Sequence, residues 1–132
     1  MPSKSPFLEG SFAVLHSRCA ALDVHKDSIM VCLLTPGEGD EPHSEVRQFG
    51  STTRELEALA RGLGESGITR AAMESTGVYW KPVFNILEPA CELTLVNARD
   101  VKQVPGRKTD VADCVWLAKL LRHGLLPRSA WI

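Results

Sequence analysis

Four carboxylates stand where they could act together: Asp23, Glu74, Asp110 and Asp113. Asp23 closes an apolar run, Cys19 to Val24, that reads as a strand, and Glu74 follows a second such run, Ile68 to Met73. Asp110 and Asp113 are three residues apart at the start of a helical pattern, so they share a face. In open sheets ligands gather beyond the carboxyl ends of the strands. Parallel neighbouring strands would therefore present Asp23 and Glu74 side by side, and a helix packed across the sheet would add the other two. Four carboxylates in one place repel each other, so such a cluster makes sense if divalent cations neutralise it. Hard oxygen ligands suit Mg²⁺ or Mn²⁺. Two such ions about 3.5–4 Å apart can activate an attacking oxygen and stabilise a leaving oxygen at a phosphate. Taken singly, each acid has a plainer account. Asp110 and Asp113 suit a helix N-terminus, Asp23 and the nearby Asp27 suit a turn, and Glu74 suits an exposed strand end. It is the coincidence of all four with element ends that favours a cluster.

Other residues around these acids suit nucleic acid. Ser75, Thr76 and Gly77 precede a helix, where amides and hydroxyls can hold a phosphate; ordinary N-capping accounts for them equally well. Tyr79 and Trp80 have the chemistry to stack on bases, although aromatics near a helix start more often pack in a core or an interface. Lys81, Arg107 and Lys108 are candidate phosphate contacts, the last two being favoured because their loop adjoins the acids. His25 lies in a turn and has the chemistry for proton transfer, but a turn histidine is more often a surface residue. The four cysteines, Cys19, Cys32, Cys91 and Cys114, form no C-x-x-C pair and sit in apolar runs. They read as buried, reduced thiols of a cytoplasmic protein rather than a zinc site.

The elements that must position these residues follow from hydropathy. Cys19 to Val24 and Ser28 to Thr35 are apolar runs around a polar turn, which predicts an antiparallel hairpin buried on both faces. After the Pro36–Pro42 loop, His43 to Phe49 is polar enough for a sheet edge. Thr52 and Glu55 have capping-box spacing. Leu56, Leu59, Ala60 and Leu63 form the stripe of an amphipathic helix, with Gly62 and Gly64 as its expected stop. The strand before Glu74 leads into a helix over about Val78 to Leu87, with Pro82 in its first turn. Leu93 to Val96 reads as a last short strand, followed by a helical turn from Asn97 to Gln103. The final helix is expected from a Thr109 N-cap to a Gly124 stop, with Arg122 and His123 in its last turn. The order β-β-β-α-β-α-β-α predicts an α/β fold, a mixed five-stranded sheet with helices on its faces.

The 132 residues suit one domain, here expected over 18–128, with a flexible leader over 1–17 and a tail over 129–132. Net charge is -1, so the chain as a whole is not a basic nucleic-acid binder. Residues 99–132, however, carry seven basic against three acidic side chains, a local excess that suits a phosphate backbone. On charge alone, a solvated helix face explains that excess as well. No apolar stretch approaches a membrane span, and the first residues lack the pattern of a signal peptide.

Three segments together resemble the DEDD transposases of bacterial insertion sequences: L-D-V-H-K-D-S (Leu22 to Ser28), M-E-S-T-G-V-Y-W (Met73 to Trp80) and G-R-K-T-D-V-A-D (Gly106 to Asp113). The resemblance runs from about Cys19 to Arg128, with Ala21 where glycine is common and Cys114 where alanine is common. It implies an RNase H-like (RuvC-like) domain whose catalytic, metal-holding acids are Asp23, Glu74, Asp110 and Asp113, with Mg²⁺ or Mn²⁺ as cofactor. The family's Thr-Gly-x-Tyr feature falls on Thr76, Gly77 and Tyr79, and its Lys-Thr on Lys108 and Thr109. The implied activity is divalent-metal-dependent DNA strand cleavage and transfer in a bacterial cytoplasm. The implied partners are DNA, a guide (bridge) RNA and further copies of the protein. Family members carry a C-terminal domain that supplies a serine nucleophile, so these 132 residues are expected not to recombine DNA unaided. The readings set beside this one are a junction-resolving nuclease of the same fold, using water as nucleophile, and a non-catalytic nucleic-acid-binding or dimerisation module. An actin-like ATPase ranks last, because no second glycine-rich phosphate turn is present.

Overall fold

Apolar runs with no polar alternation can only be strands if both faces are covered, and that is how the centre of this molecule is built. The structure, a computed structural model, describes residues 13–75, 77–97 and 113–126, with Asp113 placed by its backbone alone. Its elements are β1 (Cys19–Val24), β2 (Ser28–Thr35), β3 (His43–Gly50), α1 (Thr53–Glu65), β4 (Arg70–Ser75), α2 (Trp80–Leu87), β5 (Glu92–Val96) and α3 (Asp113–Arg122). This is the expected order. The strands form one five-stranded sheet in the order β3-β2-β1-β4-β5. β2 is antiparallel to β1 and to β3, while β1, β4 and β5 are mutually parallel. The meander therefore supplies one half of the sheet and the two βα crossovers supply the other.

Alternation along β1 sorts the core into two layers. Ala20, Leu22 and Val24 join Leu56, Leu59, Leu63, Val83 and Leu87 beneath α1 and α2. Cys19 and Ala21 join Cys32, Leu34, Ala72, Val96, Cys114, Leu117 and Leu121 beneath α3. The α3 side of β1 and β4 is lined by small side chains, Cys19, Ala21 and Ala72, all fully buried. Small residues let the helix backbone come close, and the Cys19 thiol donates to the Ala118 carbonyl at 3.7 Å. The edge strand β3 keeps mostly exposed side chains, as its polar sequence predicts.

α1 does not stop at Gly62 or Gly64 but continues to Glu65. Leu63 is fully buried, so the helix must run past it, and Gly67 at φ +71° provides the left-handed turn. There the Gly67 amide bonds to the Gly64 carbonyl and the Ile68 amide to the Leu63 carbonyl. Thr52 caps the start, its hydroxyl accepting from the Glu55 amide, but Glu55 returns to the amide of Gly50 rather than to that of Thr52. α3 ends as expected, with Gly124 at φ +68°. The Arg122 carbonyl accepts the amides of Leu15 and His16, so residues expected within a flexible leader are tied to this helix end. α2 starts at Trp80, two residues later than expected. The helical turn expected up to Gln103, the Thr109 cap and the tail over 129–132 lie outside the described residues.

Candidate active site

Asp23 is the fifth residue of β1 and Glu74 the fifth of β4, and the parallel pairing sets them directly opposite each other. Residues aligned in register point to the same face. The row across the sheet reads Met30, Asp23, Glu74, Val96. It lies near the carboxyl ends of the three parallel strands, on the side covered by α3. Glu74 is 4% exposed. The Asp23 side chain is 18% exposed and faces the His25 ring, with Nε2 3.2 Å from Oδ2.

α3 runs antiparallel to β1. Its far end carries Arg122, whose charge acts on Cys19 at the start of β1. Its near end carries Cys114, where burial, then Cys32 and then the Asp23 carboxylate push the thiol up to about 11. The helix therefore begins, at Asp113, beside the end of β1 that holds Asp23.

Past Glu74 the chain turns at Gly77, with φ +65°, a conformation that favours glycine. Ser75 is the last residue of β4, and Tyr79 stands at the α2 N-cap with no side-chain cap bond. The two aromatics part company here. Trp80 packs on the α1–α2 side, edge to face with Phe84 at 5.9 Å, whereas Tyr79 is exposed, with Val78 and Lys81. Of the core or interface packing favoured on general grounds, the structure shows core packing for Trp80.

Of the candidate site residues, Asp23 and Glu74 are brought together, and the backbone of Asp113 is carried to the same end of the sheet. Gly77, Tyr79 and Lys81 follow β4 at that end. Thr76, Arg107, Lys108, Asp110 and the side chain of Asp113 lie outside the described residues. Among the described residues no group of three or more potential ligands gathers. The two carboxylates set opposite each other on one face are hard oxygen donors in a largely buried position, a donor pair that fits a divalent cation such as Mg²⁺ or Mn²⁺. His25 is exposed in its turn, as expected, but its contact with Asp23 was not foreseen from sequence. The available signal was its spacing of two from Asp23, which puts both on one face where the strand gives way to the turn.

A family model of IS110-type DEDD transposases, described as "Transposase", matches residues 20–131. The chain belongs to the DEDD transposase family. No curated protein matches the sequence of this DEDD transposase chain. Among solved structures, Thermus thermophilus RuvC superposes with a TM-score of 0.54 at 11% identity, over 82% of this chain and 93% of that one. T. thermophilus RuvC in complex with Holliday junction substrate gives 0.53 at 12% identity, over 89% and 100%. At such identities the likeness shows the fold, which is RuvC-like, that is, RNase H-like. Among the described residues of this DEDD transposase chain, no helix is long and apolar enough to cross a membrane.

Proposed function

We propose that this chain is the metal-binding catalytic domain of an insertion-sequence transposase, acting in DNA strand cleavage and transfer. What carries the reading is the Asp23–Glu74 register pair, set at the carboxyl end of parallel strands beneath the start of α3. Asp23 and Glu74 would hold a divalent cation together with Asp110 and Asp113 of the G-R-K-T-D-V-A-D segment. Bound Mg²⁺ or Mn²⁺ would supply Lewis acidity at a phosphodiester. The remaining tasks fall to the chain's own side chains. Arg107 and Lys108 pair with backbone phosphates, Thr76 and Gly77 offer donors just beyond Glu74, and exposed Tyr79 stacks on a base, with Lys81 beside it. Membership of the family supports DNA as substrate, a guide RNA and further copies of the protein as partners, and a serine from a second domain as nucleophile.

The reading is tested by titrating the chain with Mn²⁺ and following the loss of the free-ion electron paramagnetic resonance signal. Saturable uptake is expected, weakened about 100-fold or more by Asp23→Asn or Glu74→Gln, since even outer-shell partners of metal ligands are worth 10–100-fold. Equal uptake by wild type and both variants would refute the assignment of these two acids.

A further inference from the structure

Among the described residues, the Asp23 carboxylate meets a ring nitrogen from outside the acidic set. His25 follows Asp23 by two residues, so strand alternation directs both to the same side. The hairpin then fixes His25 by its backbone, because its amide donates to the Ser28 carbonyl at 2.9 Å across the β1–β2 turn. Its ring lies back over the strand, with Nε2 3.2 Å from Asp23 Oδ2. The His25 side chain is 52% exposed while that of Asp23 is 18% exposed, so the ring sits on the solvent side of a mostly covered carboxylate.

We infer that His25 is a positioning residue for Asp23: its ring N–H engages Oδ2 and turns the other carboxylate oxygen, Oδ1, toward Glu74 and the cation. This rests on the metal-site reading above. The physical argument is one of rotational freedom. A carboxylate at the end of a strand can turn about its Cβ–Cγ bond, which has broad minima. A donor fixed on one oxygen selects one orientation before the metal arrives, and partners of this kind orient and tune metal ligands. The backbone anchor matters because a donor on a free side chain would have to be ordered at the same time. Val24, between the two residues, points into the opposite core layer and holds the strand in place at this point.

The test is Mn²⁺ binding by the whole chain at one fixed pH, comparing wild type, His25→Ala and His25→Gln, with the metal-free melting temperature of each. Glutamine places a neutral amide N–H close to where Nε2 stands. His25→Ala is expected to lower Mn²⁺ affinity about tenfold, His25→Gln to recover most of it, and all three to melt alike without metal. Affinity of His25→Ala within twofold of wild type overturns the inference while leaving the metal site standing. Equal losses in the alanine and glutamine variants also overturn it, since the ring's bulk rather than its N–H would then be the agent. No Mn²⁺ uptake by wild type overturns both the inference and the metal-site reading.

Discussion

Asp23 and Glu74 are direct partners across the parallel β1–β4 ladder, 51 positions apart in sequence and adjacent on one face. Their proximity is a consequence of register. Side chains alternate along a strand, so a slip of one residue in either strand would send one carboxylate into the α1–α2 core. The apolar neighbours prevent that slip. Leu22 and Met73, one position earlier, are fully buried on the α1–α2 side, and Ala21 and Ala72 are fully buried beneath α3. The acids are aligned by the packing of residues that take no part in the chemistry.

The attachment of α3 depends on a few apolar side chains, of which Leu117 is fully buried. Leu117→Ala is expected to destabilise the fold by about 2–5 kcal/mol, the range for emptying such a site. The effect should appear as a lowered urea midpoint with little change in slope. A loss below about 0.5 kcal/mol would mean that α3 is not part of the cooperative core.

Alkaline pH should weaken the same layer. Burial, the neighbouring Cys32 and the opposing effect of Arg122 together leave the Cys19 thiol pushed up to about 12, and Cys114 stands at about 11. Thiols in the unfolded chain ionise near the ordinary value of 9.0. Above that pH the unfolded state releases protons that the folded state keeps, so unfolding is favoured. The contribution is fully present below pH 9 and is lost as the pH rises toward the folded values. Cys19→Ala should therefore lose less melting temperature than wild type between about pH 8.5 and about pH 10.5. Parallel curves for the two proteins would show that Cys19 carries no such linkage.

Tyr79 is 40% exposed at the end of the sheet that holds the acids. Replacing it with alanine should leave the melting temperature nearly unchanged, as for most surface substitutions. Affinity for a single-stranded oligonucleotide should fall about tenfold, in line with about 1–3 kcal/mol for a stacked base. Fluorescence anisotropy of a labelled strand checks this. Unchanged affinity would remove Tyr79 from the nucleic-acid surface.

Most of the scaffold was legible because it depends on local chemistry. The Thr52 cap, the Leu56–Leu59–Leu63 stripe, the hairpin around His25–Asp27 and the Gly124 stop are each determined by residues within a turn or two of one another. The order β-β-β-α-β-α-β-α follows from them, and the three motif segments were enough to indicate the family. What sequence left open turned on tertiary contact. Gly62 and Gly64 looked like helix ends, but the need to bury Leu63 carried α1 on to Glu65, with the left-handed turn at Gly67. Tyr79 and Trp80 looked alike, but only one of them could reach the α1–α2 core. His25 is the exposed turn residue its sequence suggests, but only the hairpin shows that its ring lies against Asp23. Above all, no local signal pairs residue 23 with residue 74. That pairing depends on two strands choosing one register, and the choice is made by how alanines, Leu22 and Met73 fill the space on either side of the sheet.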